Sequence, residues 1–421
     1  MSSKDNIGSG ESENTTPCTS VDTDSEGPPR VEGSPMVDVL DSDIPWSPFF
    51  RYDSAYADQY NGIEQFLDIL KENGFYSLEG PCGTGKTLIA ITAALKAIRS
   101  EEYPEYTRVC VFTPNKQQLR QFTKEMRGVN RSLPSGVDSA QTVVMKGKTD
   151  MMPYSFVEIP PFDQKTIHEA ADDLRKKTRE IIQFDSDIPL NWPDGMNPPA
   201  SAHHDYDWSK ASSDAKERRE ATPYDPIRAK CVRQILIDKE NDDDYDRLVV
   251  DGVESPYPDV VPHTSHIVDT DELQEMGIQQ LDPDNRGKFD PFYASFFAPG
   301  FPQFGFSDAK GDVLDRDALF KLAVTEGVCP HESMAHFARK ADVVLGNYNH
   351  LYDPRTRRLT ASKIELFDEE TIVVVDEAHR IEEKVRKMLS TTLDIYTIDK
   401  AIADLQVAQA YLNGELTSSR A

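Results

Sequence analysis

Eight residues, Gly80 to Thr87, read GPCGTGKT and fit the pattern G-x-x-x-x-G-K-[ST] at every fixed position. The chemistry open to such a loop is holding a phosphate chain. Gly83 and Gly85 permit backbone conformations and a close approach that a side chain would block. Successive backbone N–H groups and the start of the following helix then face the phosphates. Lys86 can reach the terminal phosphates, and Thr87 offers its hydroxyl to Mg²⁺. Gly80, Pro81, Cys82, Gly83, Thr84, Gly85, Lys86 and Thr87 are therefore the expected nucleotide-binding residues.

A second group stands far downstream. The run TIVVVDEAH, Thr371 to His379, carries β-branched residues and then two acids. A buried parallel strand ending in acids is where an open α/β sheet places its ligand chemistry. In that setting Asp376 would hold Mg²⁺, Glu377 would orient and polarise an attacking water, and His379 could sense the terminal phosphate. A strand that simply ends in solvated acids is the plainer reading of this run alone. The phosphate loop upstream argues against it.

These groups need elements to position them. Phe75 to Leu78 reads as a short buried strand entering the loop, and Thr87 to Ser100 as a helix leaving it. Ile63, Phe66, Leu67 and Leu70 have helical spacing. Thr107 to Pro114 reads as a strand, Lys116 to Arg127 as a polar helix, and Thr142 to Met145 as another strand. From about Lys146 to Gly327 proline, Asp and aromatics rise and the alternation is lost, which implies an inserted domain. Within it Ala170 to Phe184 and Pro226 to Lys239 look helical, and Asn241 to Pro302 looks irregular. The pattern returns with a helix at His331 to Lys340 and strands at Ala341 to Gly346 and Ile372 to Val375. Helices at Arg380 to Leu389 and Leu393 to Leu412 follow. Residues 1–43 are Ser-, Glu-, Asp- and Pro-rich and read as a disordered tail.

The formal charge is −27, from 73 acidic and 46 basic residues. Such a surface repels nucleic acid at ordinary salt. The acids are spread over loops, as in proteins that stay soluble in strong salt, so a halophilic host is expected. There is no signal-peptide pattern and no apolar run long enough to span a membrane. A cytoplasmic protein with reduced thiols is the expectation.

Taken together, GPCGTGKT followed by DEAH resembles superfamily 2 helicases of the DEAH type. The stretch GVCPHESMAHFARKADVVLGNYNHLYDP, Gly327 to Pro354, is similar to the XPD/DinG-like DNA helicases, and with the acidic composition points to a haloarchaeal member. The resemblance spans about Pro45 to Leu412, weakly across the insertion. It implies an α/β fold: a RecA-like P-loop parallel sheet with helices on both faces, interrupted by a large irregular insertion. The cofactors implied are ATP and Mg²⁺, with movement on single-stranded DNA, 5′ to 3′, and a role in DNA repair. FFRYDSAYADQ resembles the family's N-terminal aromatic segment and makes Gln59 the expected adenine contact. TPNKQQLRQF, Thr113 to Phe122, resembles the motif that touches the DNA backbone. Thr113, Gln117 and Arg120 are the candidates there.

Two departures matter. The family often holds a four-cysteine iron–sulfur cluster in the insertion, and Cys329 matches its last ligand. Only Cys231 and Cys329 lie in that interval, and Met151 and Met152 stand where a first cysteine is expected. Cluster iron usually takes four thiolates, so an intact cluster is not expected here; His203, His204, His263 and His266 are the residues that could substitute in principle, with His203-His204 reading more simply as a solvated loop pair. The second lobe that completes the ATP cleft is also not seen after the DEAH run. The expectation is one ATP-binding lobe plus an insertion and the start of an arch-like region at residues 393–421. The second lobe would then come in trans or from a C-terminal part.

Positive charge is scarce enough for its clusters to be informative. Arg339, Lys340, Arg355, Arg357, Arg358 and Lys363 gather near the motif strands, and Lys116, Arg120 and Lys124 lie on one helix. Arg355 and Arg357 are candidate phosphate contacts, although a solvated loop would look the same. Tyr348 and Tyr352 are candidates for stacking on bases. A non-hydrolysing nucleotide- or DNA-binding module that regulates a complete helicase is the alternative from a different class. An ATPase unrelated to DNA is a third.

Overall fold

The computed structural model describes residues 35–40, 43–81, 83–153, 166–183, 290–298, 300–364, 366–390 and 395–413, with isolated positions between 224 and 254. The expected helix at Pro226 to Lys239, Cys18, Cys82, Cys231, His203, His204, His263, His266 and most of the expected tail lie outside the described residues.

In chain order the first elements are β1 (Met36–Asp38), β2 (Ser54–Tyr56), α1 (Ala57–Lys71), α2 (Lys86–Ile98), β3 (Arg108–Thr113), α3 (Lys116–Ser132), β4 (Thr142–Val144) and α4 (Ile167–Ile182). A small hairpin follows, β5 (Val249–Val250) and β6 (Val253–Glu254), then α5 (Pro291–Phe296), β7 (Val313–Leu314), α6 (Arg316–Thr325) and α7 (Pro330–Lys340). The last elements are β8 (Val343–Asn347), α8 (Asn349–Tyr352), α9 (Pro354–Ile364), β9 (Thr371–Val375), α10 (Ile381–Leu389) and α11 (Ile395–Leu412).

Five strands form one parallel sheet in the order β7-β4-β8-β3-β9. Side chains alternate across it, as the two-residue period of a strand demands. Val109 and Val111 of β3, with Val343 and Leu345 of β8, face a core shared with α1, α2 and α3. Cys110, Phe112 and Val344 face the opposite core, shared with α4, α5, α6 and α7. This is the expected RecA-like arrangement with helices on both faces.

Local sequence explains the helix ends. Asn115 caps α3, its side chain accepting from the N–H groups of Gln117 and Gln118 at 3.0 Å. Leu119, Phe122, Met126 and Val129 then bury one face at spacings of three and four. Thr166 and Glu169 form a capping box at α4, and Pro330 opens α7. Helix α2 is apolar on most sides and buries Leu88, Ile89, Ile91 and Leu95, each contributing about 1.5–3 kcal/mol.

Two features of the sheet differ from expectation. Phe75 to Leu78 is not a strand: it pairs with no strand among the described residues, and Phe75 is fully exposed at 103 %. A strand needs a neighbour to take its backbone hydrogen bonds. Among the described residues β9 pairs only with β3, and its other edge stays open without this segment beside it. Tyr76 instead stacks on Phe66, ring centroids 5.6 Å apart. The second difference is β7, which lies inside the stretch expected to be a separate insertion yet adds a strand beside β4. Its two buried residues, Val313 and Leu314, are too few for periodicity to reveal. Similarly, β1 falls inside the expected tail and pairs antiparallel with β2.

Candidate nucleotide site

In a parallel sheet every strand delivers its C-terminal end to the same edge. Here that edge carries Thr113 at the end of β3, Asn347 at the end of β8 and Asp376 just after β9. The phosphate loop reaches it from the unpaired segment 75–79 and passes into α2. Gly83 and Gly85 take left-handed conformations, φ +86° and +77°, as their sequence positions anticipate. Gly85 has no room for a side chain, since a Cβ there would stand 2.2 Å from Gln59 Nε2. The Thr84 hydroxyl donates to the Pro81 carbonyl at 3.0 Å. The Lys86 ammonium donates to the carbonyls of Gly80 and Pro81 at 2.7 and 2.9 Å. Open space at Gly83, N–H groups at the start of α2 and a folded-back lysine together fit a phosphate chain.

Gln59 is buried, 1 % exposed. Its amide donates to the Thr84 carbonyl at 3.1 Å and its carbonyl accepts from the Tyr56 N–H at 3.0 Å. It thus ties the start of α1 to the phosphate loop. The aromatic segment before it joins the core that β3 and β8 share with α1, α2 and α3. Trp46 is fully buried, packs edge-on against Phe50 and Tyr60, and donates its indole N–H to Glu64 at 2.6 Å.

The acidic half rests on the sheet. The Asp376 N–H donates to the Phe112 carbonyl at 2.9 Å, so β9 stays paired up to the acid. Partial burial is the first cause holding the Asp376 carboxyl above the usual carboxylate range, and Glu377 adds to it. The Lys86 ammonium acts in the opposite direction on Asp376, which puts the two halves of the site within electrostatic reach. Glu377 adopts φ +53°, a conformation that disfavours any residue with a Cβ. His379 lies 3.3 Å from Glu377, Nδ1 to Oε2, and is otherwise largely exposed.

Tyr348 is where the sequence misleads. The ring is 1 % exposed, so it has no face free to stack on a base. Its hydroxyl donates to the backbone carbonyl of Asp376, and its N–H donates to the Thr113 carbonyl at 3.0 Å. It joins the ends of three strands, a role that no spacing rule signals. Thr113 is also fully buried, and its hydroxyl donates to the Asn115 carbonyl at 3.1 Å; it shapes the loop and does not present that hydroxyl to a ligand. Gln117 and Arg120 are exposed on the first turns of α3, as are Arg355, Arg357 and Arg358 on α9. Asp353 caps that helix by accepting from the Arg355 N–H at 3.0 Å. The Arg357 guanidinium lies over the Phe367 ring, 5.3 Å from its centre.

The iron–sulfur position can be tested on its donors. Cys329 is buried at the start of α7, with Arg175 Nη2 donating to its sulfur at 3.2 Å. Met151 and Met152 are buried where a first thiolate is expected. Among the described residues no group of three His, Cys, Asp or Glu side chains could hold a metal ion. This donor set does not fit a cluster that needs four thiolates. Among the described residues no helix is long and apolar enough to cross a membrane.

Comparison with known proteins agrees with the geometry. The family described as "Type III restriction enzyme, res subunit" matches residues 54–185, which hold the phosphate loop, and the DEAD_2 family matches residues 303–398, which hold the acids. A regulator of telomere elongation helicase 1 homolog from Drosophila erecta is 33 % identical over 110 residues, 26 % of this chain and 11 % of that protein. The Drosophila melanogaster homolog is 33 % identical over 104 residues, 24 % of this chain and 10 % of the relative. That from Drosophila ananassae is 36 % identical over 91 residues, 22 % and 9 %. The matched stretch thus spans about a tenth of the curated relatives' length. With a phosphate loop and an Asp-Glu-Ala-His run on one edge of a RecA-like sheet, these matches support a superfamily 2 helicase of the DEAH type, similar over part of its length to the telomere-elongation-helicase homologs.

Proposed function

We propose that this chain is the ATP-binding lobe of an ATP-dependent DNA helicase that couples hydrolysis to movement on single-stranded DNA. The observations that carry the reading are the phosphate-loop conformation, with Gly83 and Gly85 left-handed and Lys86 folded over the loop, and Asp376 at the end of β9, where the Lys86 charge is felt. Lys86 and the N–H groups of Gly83 to Thr87 would hold the phosphates, with Gln59 bracing the loop from behind. Thr87 and Asp376 would hold Mg²⁺, which supplies charge neutralisation along the phosphate chain. Glu377 would orient the attacking water and take up its proton, with His379 beside it steadying the carboxylate. Gln117, Arg120, Arg355 and Arg357 offer exposed polar groups near the ends of β3 and β8 for the DNA backbone. A second lobe, from elsewhere in a longer protein or from a partner, would close the cleft.

The Lys86 ammonium is engaged with its own loop in this conformation, which favours a second reading as a module that binds nucleotide without turnover. ATP turnover by the chain, at low and at molar KCl, with and without single-stranded DNA, separates the two. Turnover stimulated by DNA and lost in Lys86→Ala is the expected result, and a molar-salt optimum would support a halophilic host. Nucleotide binding without turnover would favour the regulatory module. Turnover indifferent to DNA would detach the site from nucleic acid.

A further inference from the structure

We infer that Arg175 takes the structural place of a metal cluster: its buried guanidinium, shared between Cys329 and Glu332, staples α4 to the start of α7. The side chain is 4 % exposed. Its Nη1 donates to Glu332 Oε1 at 3.2 Å and its Nη2 to Cys329 Sγ at 3.2 Å. His331 Nδ1 lies 3.5 Å from the same Nη1. The Tyr293 ring of α5 covers the guanidinium, 5.2 Å from centre to centre, an attraction that strengthens when water is excluded. One turn along α4, Thr178 accepts from the Asp290 N–H at 2.7 Å and so anchors the start of α5 to the same face.

The staple therefore joins three elements that are far apart in sequence. A guanidinium suits the task because it is planar, permanently charged and able to donate in several directions at once. Its position also decides against iron. A cluster would have to bond the Cys329 sulfur on a side that the guanidinium now fills at hydrogen-bond distance. The thioethers of Met151 and Met152, buried nearby in the same core, supply no thiolate in compensation. Helix α7 runs directly into β8 and the Asn347–Tyr348 turn, so the staple fixes the element that carries Tyr348 to the acidic half of the site.

Two measurements on the full chain test this. Iron and acid-labile sulfide are assayed in protein purified without air. No stoichiometric iron is expected; about four irons per chain, the content of an intact cluster, would overturn the inference whatever the variants do. Alkylation of Cys329 in the native protein is then followed by peptide mapping. The wild type should be protected, and Arg175→Met should label at least about tenfold faster, because it removes the guanidinium that bridges the buried Glu332 carboxylate and the Cys329 sulfur. The double variant Arg175→Met, Glu332→Leu should regain protection. A single variant that labels and melts like wild type would sink the staple. So would a double variant no better protected than the single, even if the single fails to fold.

Discussion

The two halves of the nucleotide site stand on different foundations. The Asp376–Glu377 half is an extension of the sheet. β9 is paired with β3, the Asp376 N–H is bonded to Phe112, and the Asp376 carbonyl receives the Tyr348 hydroxyl. Among the described residues the phosphate loop is attached to no strand. Its lead-in segment is unpaired with Phe75 in solvent, and the loop is held by the burial of α2 and by Gln59. Equal contributions to one chemistry therefore come from unequal supports. The acidic half should keep its shape alone, whereas the phosphate half should be the part that nucleotide binding organises.

The largest expected effect breaks the weaker support. Gly85→Ala forces a left-handed residue and drives a Cβ against Gln59. Strain of about 1–2 kcal/mol plus a lost hydrogen bond of about 1 kcal/mol should weaken nucleotide binding on the order of a hundredfold. Isothermal titration would measure it; an unchanged affinity would mean that the loop is not held as described. A smaller effect probes the stronger support. Tyr348→Phe keeps the buried ring and removes only the bond to Asp376, so Mg²⁺-dependent nucleotide binding should weaken severalfold, by about 1 kcal/mol. Binding without Mg²⁺ should be unchanged. Equal losses with and without Mg²⁺ would erase the distinction between the halves.

The mildest probe is pH. Burial and Glu377 hold the Asp376 carboxyl above its ordinary range, so it keeps its proton to a higher pH than an exposed carboxylate. The proton competes with Mg²⁺. Mg²⁺-dependent affinity should therefore fall as pH is lowered through the raised pKa, and Asp376→Asn should flatten that dependence. A wild-type profile already flat over the acidic range would contradict it.

What the sequence made legible follows from how local each signal is. The phosphate loop, the Asp-Glu-Ala-His run and helices α1, α3, α4 and α7 are written in short-range patterns of glycine, charge and apolar spacing. The pairing of Phe75 to Leu78 is not, because an apolar run is a strand only if another strand lies beside it. Thr113 at the end of β3 and Tyr348 just after β8 are positions where a polar-tipped residue can face solvent or the backbone of a neighbouring strand, and only the assembled sheet decides. Strand β7 is two residues in a proline- and Asp-rich stretch. Arg175 is one of many charged residues in α4, and nothing around it in the sequence announces its burial beside Cys329.

The most direct test of the central claim, one Mg²⁺–nucleotide site split between Lys86 and Asp376, is binding of a slowly hydrolysed ATP analogue with and without Mg²⁺. Wild type, Lys86→Ala and Asp376→Asn would be measured side by side. Wild type should bind more tightly with Mg²⁺, Lys86→Ala should lose affinity in both conditions, and Asp376→Asn should lose only the gain from Mg²⁺. If Asp376→Asn instead keeps the full Mg²⁺ gain, the acids at the end of β9 are not the second half of this site.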